Sequence, residues 1–121
     1  MSKVIRILTT GIDLVDFPET GSDHDRLHWM YEQIGCTCIE TVPTYRFDER
    51  YIMVVDEEGK LHRSDFNPIA SWLYGPRDEI VGDALLMILR PTEEGPDLWG
   101  MEKTEAVEVL RTIGDLITRI K

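Results

Sequence analysis

A chain of 121 residues, 42% hydrophobic and 30% charged, is long enough for one domain that buries roughly 65% of its unfolded surface. It is too apolar for wholesale disorder. Twenty-three acidic residues against 13 basic ones leave a net charge of −10, a field that repels DNA, RNA and anionic membranes unless a local basic patch overrides it. Lys and Arg are scattered singly from Lys3 to Lys121, so nucleic acid and membrane are not expected partners.

The first residues enter an alternating apolar segment directly, without the apolar core and cleavage site of a secretory leader. The longest apolar run, Ala84 to Leu89, is far too short to span a bilayer. A cytoplasmic location is therefore expected.

Val4 to Thr9 has the β-branched character of a strand. Thr10-Gly11 reads as a turn into a second strand, in which Asp13, Val15 and Phe17 alternate with Ile12 and Leu14 until Pro18 ends it. Ser22 then starts a helix: its hydroxyl caps free backbone N–H groups, and Asp25 stands at the capping-box position. Leu27, Met30, Tyr31 and Ile34 repeat at helical spacing, and Gly35 is the stop.

A third strand is expected from Cys36 to Val42. The two cysteines would share one face about 6.6 Å apart with parallel Cβ vectors, a poor disulfide geometry. They read as free structural thiols. Tyr45 to Arg50 is a polar-aromatic connection, and Tyr51 to Val55 is a strand apolar on both faces, hence central in the sheet. Asp56 to Lys60 reads as a hairpin loop with Gly59 at positive φ, and Lys60 to Arg63 as the returning strand.

Asn67-Pro68 starts a short helix, Asn as cap and Pro at the first helical position. Ile69, Trp72 and Leu73 lie on it, and Gly75-Pro76 ends it. Ile80 to Leu89 is another two-sided strand, interrupted at Gly82-Asp83. Thr92 to Gly100 is a loop, and a last helix covers Glu102 to Arg119, with Asp115 and Arg119 at ion-pair spacing.

This order predicts one α+β domain over residues 1–121, with a mainly antiparallel sheet. One long helix lies near the N-terminus, a short one in the centre and one at the C-terminus. The first and last helices are expected to share one sheet face.

Three segments carry a resemblance: Val54-Val55-Asp56-Glu57-Glu58-Gly59-Lys60-Leu61, then Asn67 with Ala70, Leu73, Tyr74 and Gly75, then Ile80-Val81-Gly82-Asp83-Ala84. With the Gly35-to-strand start that ends in Glu40-Thr41-Val42, they resemble a small domain-of-unknown-function family common in bacteriophages and mobile elements, especially those of actinobacteria. Pro68 departs from that pattern, which has a polar or basic residue after the Asn. The resemblance implies a lineage and a fold, and no activity.

Candidate chemistry is sparse. His24 and His28 share a helix face at a spacing that can ligate a metal, but no further ligands follow at defined spacing, so no metal is expected. No nucleophile elbow or Gly-rich phosphate loop occurs, and the runs Asp56-Glu57-Glu58 and Glu93-Glu94 read as solvated loop tips. No cofactor or catalytic residue is assigned. Asp83 interrupts an apolar strand, where a carboxylate needs a partner; it either binds nearby loop N–H groups beside a bulge at Gly82 or anchors a ligand in a pocket.

Arg63, Asn67, Trp72, Tyr74 and Arg77 cluster around the short helix. Rings for stacking beside guanidinium for phosphate suit a planar, phosphorylated ligand. The structural alternative has Asn67 as cap, Trp72 in the core and both arginines on the surface. On the last helix Ala106, Leu110, Ile113, Ile117 and Ile120, flanked by Val109 and Leu116, form an apolar arc wide enough to pack on a sheet. A homo-oligomer interface is the other use of that arc.

The expected function is that of a non-enzymatic phage or mobile-element accessory protein acting by binding, in the host cytoplasm. Its partner would be a small nucleotide-like signal, sequestered as counter-defence, or a host defence protein, blocked by contact. The ligand-binding residues would be Arg63, Asn67, Trp72, Tyr74, Arg77 and Asp83. Two alternatives are an acidic DNA mimic that blocks restriction and a small enzyme with an unrecognised site.

Overall fold

Strand pairing in the computed structural model, which describes residues 1–62, 64–76 and 78–120 (Ile120 by its backbone alone), gives one antiparallel sheet of six strands among those residues. The elements run β1 (Lys3–Leu8), β2 (Gly11–Asp16), α1 (Asp23–Ile34), β3 (Ile39–Pro43), β4 (Tyr51–Asp56), α2 (Pro68–Tyr74), β5 (Ala84–Arg90), β6 (Asp97–Trp99) and α3 (Lys103–Ile120). The expected α+β class and antiparallel sheet are both present.

The strand order is β2-β1-β5-β4-β3. Leu86 of β5 faces Ile5 of β1 on one side and Met53 of β4 on the other, while β6 pairs the far end of β5 from Ile88 to Arg90. β4 is interior, as its two-sided apolar pattern predicts. Alternate side chains feed two cores. Ile5, Ile7, Met53, Val55, Ala84 and Leu86 pack with Ala70, Leu73, Ala106, Val109 and Ile113 of α2 and α3. Val4, Val54, Leu85 and Met87 pack with Phe17 and with Met30 of α1.

The first and last helices therefore cover opposite faces, not one. An apolar stripe states that a helix has a core side, not which face of the sheet it meets. The sheet lies between α1 and the α2–α3 pair, and burial on both sides is what β1, β4 and β5 need.

Helix ends follow their local chemistry. Ser22 and Asp25 form the reciprocal capping box, and Gly35 closes α1 in the left-handed conformation at φ +77°. Cys36 N–H still bonds the Tyr31 carbonyl at 3.0 Å, so the chain is turning where a strand was expected. β3 begins only at Ile39, and both free cysteines precede it. Burial pushes the Cys36 thiol up, and a hydrogen bond with Glu58 pushes up that of Cys38.

Three further boundaries differ from the sequence reading. Among the described residues no return strand follows β4: Lys60 to His62 stay in turns, with His62 N–H on the Glu58 carbonyl at 3.0 Å, and Arg63 lies outside the described residues. Gly59 is not among the positive-φ glycines; what requires glycine is contact, because a Cβ there would sit 2.9 Å from Val81 Cγ2 and 3.2 Å from the Val81 carbonyl oxygen. β5 starts at Ala84, because Gly82 at φ +79° turns the backbone out of the ladder and leaves Val81 in a separate bridge to Phe66. The expected loop 92–100 contains β6.

Candidate functional site around the end of helix α2

Asn67 is fully buried. Its Oδ1 accepts from Ala70 N–H at 3.0 Å, and its Nδ2 donates to the Ile7 carbonyl at 2.8 Å and the Gly82 carbonyl at 2.9 Å. One side chain thus caps α2, holds it to β1 and ties down the approach to β5. Ser71 adds a second clasp, its Oγ donating to the Ile80 carbonyl at 3.0 Å and accepting from Ile80 N–H at 2.8 Å. Helix α2 and segment 78–82 form one rigid support.

The connection between β3 and β4 folds over the C-terminal end of α2. Arg46 N–H bonds the Leu73 carbonyl at 3.1 Å, and the buried Thr44 hydroxyl lies 2.8 Å from the Asp48 carbonyl oxygen and 3.0 Å from that of Tyr51. Held this way, Tyr45 stacks on Tyr74 with centroids 5.8 Å apart, and the Arg46 guanidinium lies 5.5 Å from the centre of the Trp72 ring. Tyr45 is 56% exposed and Phe66 49%. Arg46 is exposed. Arg46, Phe66, Trp72 and Pro76 line an open groove with Asp78 and Glu79 on its rim.

A second, more enclosed groove of about 330 Å³ adjoins the first at Asp78 and Glu79 and includes Tyr74 at the end of the same helix. Its apolar lining includes Val42 of β3, Val55 of β4, Leu61, Ile80 and Val81. Glu40, Asp56, Glu57, Asp78 and Glu79 supply five carboxylates. Lys60 reaches from loop 57–61 to Asp78 across the groove, Nζ to Oδ1 2.5 Å, which holds the Asp78 carboxyl below its ordinary range and raises the Lys60 ammonium. The Asp56 side chain is only 7% exposed and is occupied internally, by Glu58 N–H at 2.8 Å and by His62 Nδ1 at 3.1 Å.

Of the residues expected to bind a ligand, Trp72 lines the aromatic groove and Tyr74 the carboxylate-walled one, and each meets the β3–β4 connection, Trp72 through Arg46 and Tyr74 through Tyr45. Asn67 is buried, its two amide donors and its oxygen engaged. Asp83 lines neither groove; its Oδ1 accepts from Thr9 N–H at 3.2 Å in the β1–β2 turn, a loop N–H contact of the kind the structural reading of that residue expects. Arg63 and Arg77 lie outside the described residues. Arg46, Tyr45 and Phe66, absent from the expected site, complete it; the ring-cation-ring run Tyr45-Arg46-Phe47 in a connection was the available signal.

Elsewhere, His24 and His28 stack with centroids 6.4 Å apart, and among the described residues no group of three or more His, Cys, Asp or Glu side chains could hold a metal ion. No described helix is long and apolar enough to cross a membrane.

No curated protein and no solved structure matches the chain. A family model described as "Domain of unknown function (DUF3846)" matches residues 6–105, a span that runs from β1 into the first turn of α3 and includes both grooves. The chain belongs to this family, DUF3846.

Proposed function

We propose that this is a non-enzymatic accessory protein of phage or mobile-element origin that docks on another protein, with a host defence component as the target. The observation that carries the reading is the gathering of exposed Tyr45, Arg46 and Phe66 beside Trp72 and Tyr74 on a clasped, rigid support. Trp, Tyr and Arg dominate the energetics of protein interfaces when neighbours exclude water around them. Rings fixed before binding lose little conformational entropy on contact.

The open form of the aromatic groove favours a protein surface over a small molecule, which needs most of its area enclosed. Capture of a nucleotide-like signal is the second reading. The Arg46–Trp72 pair supports it, as a cation beside a stacking face, while Asp78 and Glu79 on the same rim oppose a phosphate. Phage or mobile-element origin is supported by the three motif segments described above.

The test is phage plating on hosts that carry single defence systems, with and without the protein expressed. The wild type should restore plating on at least one host, and Arg46→Glu and Phe66→Ala should lose that effect with unchanged thermal melts. Full rescue by both variants would remove this surface from the function, and no rescue by wild type on any host would remove the counter-defence role.

A further inference from the structure

The carboxylate-walled groove coincides with a free sheet edge. β3 is the last strand of the order and, among the described residues, pairs β4 alone, and Glu40, Thr41 and Pro43 are exposed along it. An edge strand presents unpaired backbone donors and acceptors, a template for another extended segment. By the alternation of a strand, Glu40 and Val42 point to the face that carries the groove. An added strand would send every second side chain the same way, over Val42, Val55 and Ile80 and between the acids.

The chemistry of the walls selects the occupant. Glu40, Glu57 and Glu79 stand in the described lining beside the Lys60–Asp78 pair and the internally bonded Asp56, in a chain of net charge −10, so a cationic segment is drawn in and an acidic one repelled. Lys60 shows the fit from within: its ammonium already bridges the walls through Asp78, where an incoming Lys or Arg would sit. Leu61, 77% exposed at the rim, offers apolar contact to the residues between the cations.

We infer that the partner enters this groove as an extended, basic segment that adds to the edge of β3 and displaces Lys60 from Asp78. The inference rests on the docking role proposed above and names the partner's chemistry. Lys60 acts as a resident competitor, so removing it exposes the groove.

The probe is an acetylated ten-residue peptide alternating Lys and Val, compared with its Glu-for-Lys counterpart and with a version N-methylated at alternate residues. Binding is followed by calorimetry on the full chain. The Lys peptide should bind and the Glu peptide should not. Asp78→Asn combined with Glu79→Gln should weaken binding roughly tenfold or more, the loss expected for charge-assisted contacts, and Lys60→Met should tighten it several-fold. N-methylation should abolish binding, since it removes backbone donors. Equal affinity for the N-methylated peptide, or no change in either variant, would overturn the inference.

Thermal melts confirm that the variants fold. Phage plating separates this inference from the wider one. If Arg46→Glu loses rescue while the Asp78/Glu79 double variant keeps it, the docking role stands and the groove assignment falls. If the peptide results hold while wild type rescues no phage, the groove stands and counter-defence falls.

Discussion

The side-chain amide of Asn67 donates to the backbone carbonyl of Ile7 at 2.8 Å, joining the start of α2 to a strand 60 residues earlier. A lost N-cap alone costs about 1 kcal/mol. Here two carbonyls also lose a buried donor, at about 1–3 kcal/mol each where no water replaces it. Asn67→Ala should therefore destabilise by about 3 kcal/mol. Asn67→Asp keeps the cap acceptor but sets a carboxylate against two carbonyl oxygens, and should cost at least as much. Urea unfolding at pH 7 decides: an Asp variant as stable as wild type would reduce Asn67 to a cap.

Gly59→Ala should destabilise by about 1–2 kcal/mol, the usual cost of overpacking, because its Cβ would meet Val81. Val81→Ala removes Cγ2 and should recover at least ~0.5 kcal/mol in the double variant, the coupling expected of residues in contact. Strictly additive losses in a double-mutant cycle would show that steric contact is not the reason for glycine.

Tyr51 donates its hydroxyl to Glu105 at 2.7 Å, and Arg50 Nε donates to the same carboxylate at 2.8 Å. Burial, then the hydrogen bond to Glu105, pushes the Tyr51 phenol up to about 12 from an ordinary 10. A folded pKa above the unfolded one gives stability that is complete below pH 10 and is lost as pH rises through about 12. Denaturant unfolding between pH 9 and 12 should show that decline in wild type and a shallower one in Tyr51→Phe. Parallel slopes would place the alkaline loss elsewhere.

At the acid end the sign reverses. Arg50 holds the Glu105 carboxyl below its ordinary range, with a further hydrogen bond from Tyr51. Its contribution is therefore present above the unfolded carboxylate pKa and is lost as pH falls through the folded one. Removing the Tyr51 hydroxyl should move the Glu105 titration upward, read by carboxyl carbon NMR; an unmoved midpoint would show that the hydroxyl does not support the carboxylate.

Met30→Ala strips a buried side chain on the α1 face and Ile113→Val thins one on the α3 face, at about 2–3 and 1 kcal/mol respectively. With the sheet between them, the losses should add within ~0.5 kcal/mol. Strong coupling would mean that the two helices share a core.

Local chemistry was legible in the sequence and long-range geometry was not. Ser22, Asp25 and Gly35, like Pro68, Gly75 and the capping oxygen of Asn67, act on backbone groups within a few residues, so the ends of α1 and α2 follow from the local sequence, whereas the Asn67 donors that reach Ile7 and Gly82 do not. The opposed faces of α1 and α3 follow from how the sheet closes around β5, which no stripe encodes. Gly59 was legible as a special glycine and misleading about the reason, since Val81 meets it from 22 residues away. At the site, Trp72 and Tyr74 followed from the pattern around the short helix. Their companions Tyr45 and Arg46 arrive on a connection placed by the Thr44 hydroxyl and the end of α2.

β5 divides the sheet in time as well as in space. During synthesis β1 can close on β2 and β3 on β4, yet neither hairpin has an interior neighbour until residues 84–90 emerge and slot between them. A hairpin alone in water is marginal, so from the completion of β4 at Asp56 until β5 is made the nascent chain carries two half-built sheets with bare inner edges. Cooperative folding then waits on one late strand, and a ribosome stalled before Ala84 would hold a chain that chaperones treat as unfolded.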